Sequence, residues 1–511
     1  MTHMKYNLKH DGFSPLTKLI GVAKKLRQMN SGNVAVIFAL TLMPIFLAVG
    51  AAVDITRALI VRDRLGQAMD AAALAVGGTP GLTDETRQAL AEKYFAANYP
   101  ADEIGTPGQL MVSVDGDVVT ITATAEVATT LMAIIGQDTL SVSANTEVTK
   151  EAKGLEVVMV LDNTGSMGGD KIVALRDAAT ELVNILFGEE TTPEKLKVGL
   201  VPFAAAVNIG TDVMGKTIMD ENGLSSIHGE NFDETSSEVN IFDLYDEIPN
   251  RAWTGCVETR PTPFDTKDVK PVSSDPDTLW VPFFSPDMPD SSSSYDNRYL
   301  SDGISGNEDD RQRYTGKYNG TSVSSSSKGP QRECTVPALT PLTNQKQTLL
   351  SAITAMGASG YTHIPVGLAW GWRVVSPKKP FKEGVAYSDD TTTKAIILLT
   401  DGENTIDTES THNLSNYSAY GYLSEGRLGT TSSSTFEDKL DTNTTLLCNR
   451  IKNKEIRVYT ITFQVSSDNV RDLMEDCATE PALYFDSPSS EDLQNVFQAI
   501  ATDLSNLRLS K

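Results

Sequence analysis

Histidine and cysteine are scarce in this chain. Five histidines and four cysteines are spread over 511 residues. The histidines form no H-E-x-x-H pair, and the cysteines, at 256, 334, 448 and 477, form no C-x-x-C. Zinc and thioredoxin-type chemistry therefore have no support. Positive charge is also short. Lys and Arg number 43 against 67 Asp and Glu, a net charge of −24, which argues against nucleic acid as a partner. Few, even and widely spaced cysteines fit two disulfides in an oxidising compartment.

Long apolar runs are missing too, with one exception. Residues 34 to 53, VAVIFALTLMPIFLAVGAAV, carry no charge and are long enough to cross a bilayer as a helix. Pro44 inside the run is tolerated in membrane helices. Upstream lie Lys5, Lys9, Lys18, Lys24, Lys25 and Arg27 against the single acid Asp11. The positive-inside rule puts that end in the cytoplasm and the remaining chain outside. A cleaved signal peptide is the rival reading, with Ala51 and Ala52 near a possible cleavage point. The run continues as DITRALIVRDRLGQAMDAAALAVGG, an Ala-rich amphipathic pattern expected to prolong the same helix.

The densest chemistry lies in VVMVLDNTGSM, residues 157 to 167. A buried-strand pattern ends at Asp162, followed by Thr164 and Ser166. Alone, such a pattern is also an ordinary turn or helix N-cap. Two later segments add to it. KAIILLT is a second buried-strand run that ends in an acid, Asp401. Between the two, Thr362 sits in a Gly-rich loop before an expected helix from Ile364. Carboxylates and hydroxyls at the carboxyl ends of strands are hard oxygen ligands that suit Mg2+, with Mn2+ or Ca2+ as alternatives. The order Asp-x-Thr-x-Ser, lone Thr, lone Asp resembles the metal-ion-dependent adhesion site of von Willebrand factor type A domains. That resemblance implies a metal site of Asp162, Thr164, Ser166, Thr362 and Asp401. Thr164 stands where the commoner pattern has Ser, and it keeps the hydroxyl.

A second resemblance covers the N-terminal block. GNVAVIFALTLMPIFLAVGAAVDITRA with LGQAMDAAALA looks like the N-terminal segment of TadE/TadG-type Flp/Tad pilus-assembly proteins, Asp54 and Asp70 falling at that family's usual places. Pseudopilins of this kind are cleaved after a Gly that has Glu five positions on. Ile37 holds that place after Gly32, so no processing is expected. Later fragments resemble TadG-type proteins as well: WTGCVE around Cys256, REC at Cys334, GLAWGWRVVSP, TDGEN, and DCA at Cys477. Order and proximity then pair Cys256 with Cys334 and Cys448 with Cys477, one of three possible connectivities.

The chain is too long for one core. We expect a basic cytoplasmic tail at 1–31 and a transmembrane anchor continuing as a pilin-like helix at 32–78. A small β-rich stalk at 79–153 follows, with a hairpin turn at Asp115-Gly116. Residues 154–511 should then form an α/β domain, its sheet doubly wound and mainly parallel, like von Willebrand A domains. Polar insertions are expected at about 210–345 and 404–440, with 285–330 as a candidate flexible segment and a helix at 441–453. His363 and Glu403 flank the site, but both are expected to face outward, so no enzyme is expected. The expected function is partner capture: a bound Mg2+ accepts a carboxylate from a protein ligand, a pilus or secretion-machinery component, outside the inner membrane. A pilus-independent adhesin and a purely structural metal are the alternative readings.

Overall fold

The computed structural model describes residues 33–79, 82–99, 105–115, 118–149, 153–212, 217–232 and 239–509. The basic tail, Gly32, the helix stop at Pro80-Gly81 and the turn residue Gly116 lie outside them. The chain divides into two compact units between Lys150 and Glu151.

In the first unit, helix α1 runs from Asn33 to Gly77. Among the described residues it alone is long and apolar enough to cross a membrane. Up to Val53 its apolar side chains point outward on every side; Leu40 and Met43 are each 70% exposed. From Asp54 onward the pattern becomes one-sided. Ala58, Val61, Leu65, Met69, Ala72 and Val76 repeat at helical spacing and are buried. A short helix α2, Asp84–Asn98, starts where Thr83 accepts a hydrogen bond from the Thr86 amide. Four antiparallel strands follow: β1 (Thr106–Pro107), β2 (Met111–Asp115), β3 (Val118–Ala128) and β4 (Thr139–Thr149). Central β3 alternates, burying Val119, Ile121, Ala123, Ala125 and Val127. These residues and the buried stripe of α1 form one core. The helix beyond residue 54 and the β-rich stalk are therefore one unit and not the two segments expected, because neither apolar face is covered without the other.

The second unit is built on a six-stranded sheet. Its strands are β5 (Gly154–Asp162), β6 (Leu196–Phe203), β9 (Thr340–Thr343), β10 (Thr392–Thr400), β11 (Arg457–Phe463) and β12 (Tyr484–Ser487), in spatial order β12-β11-β10-β5-β6-β9. Every pairing is parallel except that of β6 with β9. A separate two-stranded ribbon joins β7 (Val207–Asn208) to β8 (Cys256–Val257). Successive side chains of β5 serve opposite faces. Val157, Met159 and Leu161 pack with α3 (Asp170–Phe187), α4 (Lys346–Ala355) and the C-terminal α8 (Ser490–Leu509). Val158 and Val160 pack with α5 (Ile364–Val375), α6 (Ser433–Lys452) and α7 (Asp468–Cys477). Burial on both faces explains why β5 and β10 read as continuous apolar runs.

Helix α5 is buried along its whole length. It approaches the sheet so closely that a Cβ on Gly371 would stand 2.3 Å from Val160 Cγ2, and one on Gly367 2.4 Å from the Phe203 ring. Neither position has room for a methyl group.

Several expectations change at the insertions. The 210–345 segment ends in β9, an edge strand of the main sheet, and α4 follows it unannounced. Helix α6 begins at Ser433 and not at 441, so the second insertion is shorter than expected. The 285–330 segment, expected as a candidate flexible stretch, is packed: Met288, Tyr299, Tyr318 and Val323 are buried, in one core with α5 and α6. Its polar residues serve as internal ties. Buried Asp287 accepts the Tyr299 and Leu300 amides at 2.6 and 2.8 Å, and the Lys317 ammonium lies 3.0 Å away. Asn297 exchanges two bonds with Gly329. Arg427, from the second insertion, donates to Glu258 of the first at 2.7 Å and also meets Glu230 and Glu425.

Both disulfides pair as expected. Cys256–Cys334 and Cys448–Cys477 have Cα separations of 5.9 and 5.1 Å, and no cysteine is free.

Two outcomes follow. Gly371→Ala should lower stability by about 1–3 kcal/mol through overpacking against Val160, read by denaturant titration. Thiol titration of the denatured, unreduced chain should find no free thiol. Replacing Cys448 and Cys477 together by Ser should lower the melting temperature, the linkage being worth about 3.6 kcal/mol on the chain-entropy estimate.

Candidate metal centre and cleft

Strands β5 and β10 are direct neighbours, with Leu161 opposite Leu399. Their next residues, Asp162 and Thr400, therefore emerge side by side at the carboxyl edge of the sheet. Thr400 Oγ1 donates to Asp162 Oδ2 at 2.7 Å. The other oxygen, Asp162 Oδ1, accepts the Thr164 amide at 2.9 Å and the Thr164 hydroxyl at 2.6 Å. Thr164 Oγ1 and Ser166 Oγ lie 3.0 Å apart, and Ser166 Oγ donates to Asp401 Oδ1 at 2.6 Å. Four of the five expected residues thus form one unbroken hydrogen-bonded chain. Thr362, the fifth, lines the same cleft as Thr164 and Ser166.

Backbone bonds hold the two loops in place. Gly165 N donates to Gly360 O at 2.9 Å, and Ser359 N to Asn163 O at 2.8 Å. The Asn163 side chain reaches Gly357 O at 2.7 Å. Gly360 has φ of +88°, a conformation that favours glycine at this bend.

The electrostatics are lopsided. Asp162 is fully buried, as is the Asp401 side chain. Burial, and then the charge of Asp401, push the Asp162 carboxyl up to about 6, against the hydrogen bonds from Thr164 and Thr400. Lys171, in the first turn of α3, meets this excess negative charge: its Nζ lies 2.6 Å from Asp401 Oδ2. The residues fit a hard divalent cation. Two carboxylates and three hydroxyls offer only oxygen, and Asp401 already takes a cationic partner in Lys171. Asp162, Thr164, Ser166, Thr362 and Asp401 are the residues that could hold it. Among the described residues, no group of three or more His, Cys, Asp or Glu side chains is placed to hold a metal, here or elsewhere, so this site would rest on two carboxylates and the hydroxyls.

Above the chain opens a cleft of about 740 Å3, walled by Tyr361, Thr362, Glu403, Thr405, Asp407 and Glu333 among others. Tyr361 donates to Asp407 at 2.6 Å. Glu403 is exposed, as expected. His363 is not. Its ring is completely buried, 6.0 and 5.8 Å from the Tyr420 and Phe436 rings, and burial lowers its pKa to about 4. It is a neutral packing residue because the loop turns it inward at the N-cap of α5.

Sequence reasoning did not find Lys171, Thr400, Glu333 or Asp407. A lysine four residues past the Gly165–Met167 turn, on the helix that leaves the loop, was the available signal for the first.

An apolar N-terminal helix on a β-rich stalk, followed by an α/β unit with an oxygen-lined edge, defines a candidate membrane-anchored binding protein. Residues 32–79 match the family model described as putative Flp pilus-assembly TadE/G-like, and the N-terminal segment is TadE/G-like. No curated protein matches the sequence. Among solved structures, the chain is similar to the vWF domain of the type V pili tip protein Mfa5 from Porphyromonas gingivalis. Identity is 10%, coverage 70% of this chain and 97% of that one, and the TM-score 0.35. It is also similar to the pilus adhesin SpaC from Lactobacillus rhamnosus GG, at 12% identity over 80% and 35% of the two chains, TM-score 0.32. A mutant of the PilB minor pilin from Streptococcus sanguinis gives 12% identity over 79% of each chain, TM-score 0.32. Likeness this distant assigns no function.

Glu409, beyond the cleft wall, generates a pH prediction. Burial, and then the charges of Asp296 and Asp407, raise its carboxyl to about 7, with Glu333 adding to the rise and Arg332 opposing it. A raised folded value means that the native state holds the proton more tightly. The associated stability is complete below about 4.5 and is lost as pH climbs through about 7. Glu409→Gln should therefore gain melting temperature relative to wild type across that window and hold the gain above it.

Proposed function

We propose that this chain is a membrane-anchored extracytoplasmic protein of a Flp/Tad-type pilus. In this reading its second unit is a von Willebrand A-like domain that captures a partner protein through a metal-ion-dependent adhesion site. The observation that carries the reading is the continuous chain from Asp162 through Thr164 and Ser166 to Asp401 at the floor of the cleft. The TadE/G-like match at residues 32–79 supports the pilus context.

A divalent cation seated there would supply a Lewis-acidic position for a carboxylate of the partner. Hydroxyls of Thr164, Ser166 and Thr362 would face the cation from the cleft. Buried Asp162 and Asp401 would supply the negative charge and orient the Thr164 and Ser166 hydroxyls by accepting their hydrogen bonds. Lys171 would release Asp401 when the cation enters, since the two cations compete for one carboxylate. The cleft walls would then read the side chains around the incoming acid. Nothing in this arrangement makes or breaks a covalent bond.

Calorimetry on the detergent-solubilised chain should show one Mg2+ site. Asp162→Ala and Asp401→Ala should abolish it, Thr164→Ser should leave it nearly unchanged, and Lys171→Met should tighten it. About tenfold tightening is expected, the lower end of a charged hydrogen bond's worth. Equal Mg2+ binding by wild type and both Asp variants would remove the assignment. Capture of pilus or secretion components should be lost in EDTA and restored by Mg2+. Capture that persists in EDTA would mean that the metal only braces the loops.

A further inference from the structure

The first unit carries an apolar surface that its own core does not use. Between β3 and β4 the chain turns through Leu131, Met132, Ala133, Ile134 and Ile135, with Met132–Ile135 in a single 3-10 turn. Ile134 is 73% exposed and Ile135 62%. A turn at the end of a hairpin normally carries polar residues. Here the tip is the most apolar part of the hairpin.

This tip is pinned in place. Asp54 of α1 accepts the backbone amides of Thr130, Leu131 and Met132, at 3.0, 2.9 and 2.9 Å. Arg57, one turn further along α1, donates to the Thr130 hydroxyl at 2.7 Å. One turn in the other direction, Gly50 lets the turn lie against the helix. A Cβ at Gly50 would stand 2.5 Å from the Leu131 Cβ. Below this point, Leu131 and Ile134 share an open, wholly apolar hollow with Phe38, Met43, Phe46 and Leu47 of α1.

Position along α1 identifies the occupant. Asp54 is the first charged residue after the uncharged run, and the helix residues that line the hollow, Phe38 to Leu47, lie roughly 10–24 Å below it along the axis. The upper edge of the hollow thus falls at the depth of roughly 5–10 Å to which interfacial apolar groups enter a bilayer, and its lower end reaches further in. Phe38, Met43 and Phe46 belong to the segment read as membrane-spanning, so the hollow is continuous with the lipid-facing surface. The polar clamp lies at the water side and the apolar tip at the lipid side.

We propose that the 131–135 turn inserts into the outer-leaflet interface of the bilayer, as a second membrane contact beside α1, and that Asp54 is the positioning residue that holds it there. Acyl chains of phospholipid fill the hollow between turn and helix. The contact fixes how far the first unit stands from the bilayer and resists rotation of α1 about its own axis. This rests on the reading of α1 as the membrane anchor.

The test uses the full chain reconstituted in vesicles of phosphatidylcholine and phosphatidylglycerol. All four native cysteines are paired, so an introduced cysteine can be labelled selectively with an environment-sensitive dye. Ile134→Cys reports the turn, Leu40→Cys the helix, and Ser141→Cys an exposed strand position. The dye at 134 should emit as from an apolar medium and be quenched by shallow spin-labelled lipid as strongly as the dye at 40, with the dye at 141 unquenched. Asp54→Ala should abolish quenching at 134 and spare it at 40. The wild-type comparison stands whether or not that variant folds. A wet, unquenched dye at 134 beside a quenched dye at 40 overturns the proposal and leaves the anchor intact. No quenching at either position overturns both. A dry dye at 134 that lipid does not quench, but that transfers energy between copies, would make the surface a protein contact and equally overturn the proposal.

Discussion

Two carboxylates cannot be brought together in a protein interior without something to hold them. Parallel pairing of β5 with β10 does bring them together, because β5 ends at Asp162 and Asp401 directly follows β10 at the same edge of the sheet. Burial first, and then the charge of Asp401, disfavour an ionised Asp162. The surroundings can be understood as answers to that cost. Three hydroxyls, from Thr164, Ser166 and Thr400, direct protons at the two acids. The Lys171 ammonium supplies a compensating charge. The Gly-rich loop before α5 then closes over the arrangement through bonds from Asn163 and Gly165.

Much of that construction was legible before any coordinates. Runs of branched apolar residues that stop at an acid marked β5 and β10, because a strand buried on both faces leaves no other pattern. Hydroxyls two and four positions past Asp162 marked the loop. What could not be read has physical reasons too. Strand β9 is four residues long and contains Pro341, so it gives no periodic signal and survives only as an edge. The 285–330 segment looks polar because its order comes from buried ties such as Asp287 and Asn297, and composition does not distinguish a tied Asn from a solvated one. Its aromatics are spaced irregularly along the chain and meet only in three dimensions. His363 adjoins a site residue in sequence yet faces away from it, since neighbours at a helix start project in different directions.

Helix α1 has two halves of different character. Its first half has no preferred face, as suits a uniformly apolar medium. Its second half has a single apolar stripe against β3 and β4. Asp54 stands at the changeover. Its buried carboxylate is satisfied by three backbone amides, which keeps a charge stable at the edge of an apolar region.

Arg427 has a consequence for how such chains can diverge. Its guanidinium holds acids from both insertions, Glu230 and Glu258 from one and Glu425 from the other. Replacing the second insertion alone takes the cation from buried Glu258, and replacing the first alone leaves Arg427 with Glu425 as its one remaining partner of the three. In any lineage or any engineered chimera, the two should travel as a matched set: a transplanted pair keeps all three contacts of Arg427, and either half alone loses those to Glu230 and Glu258.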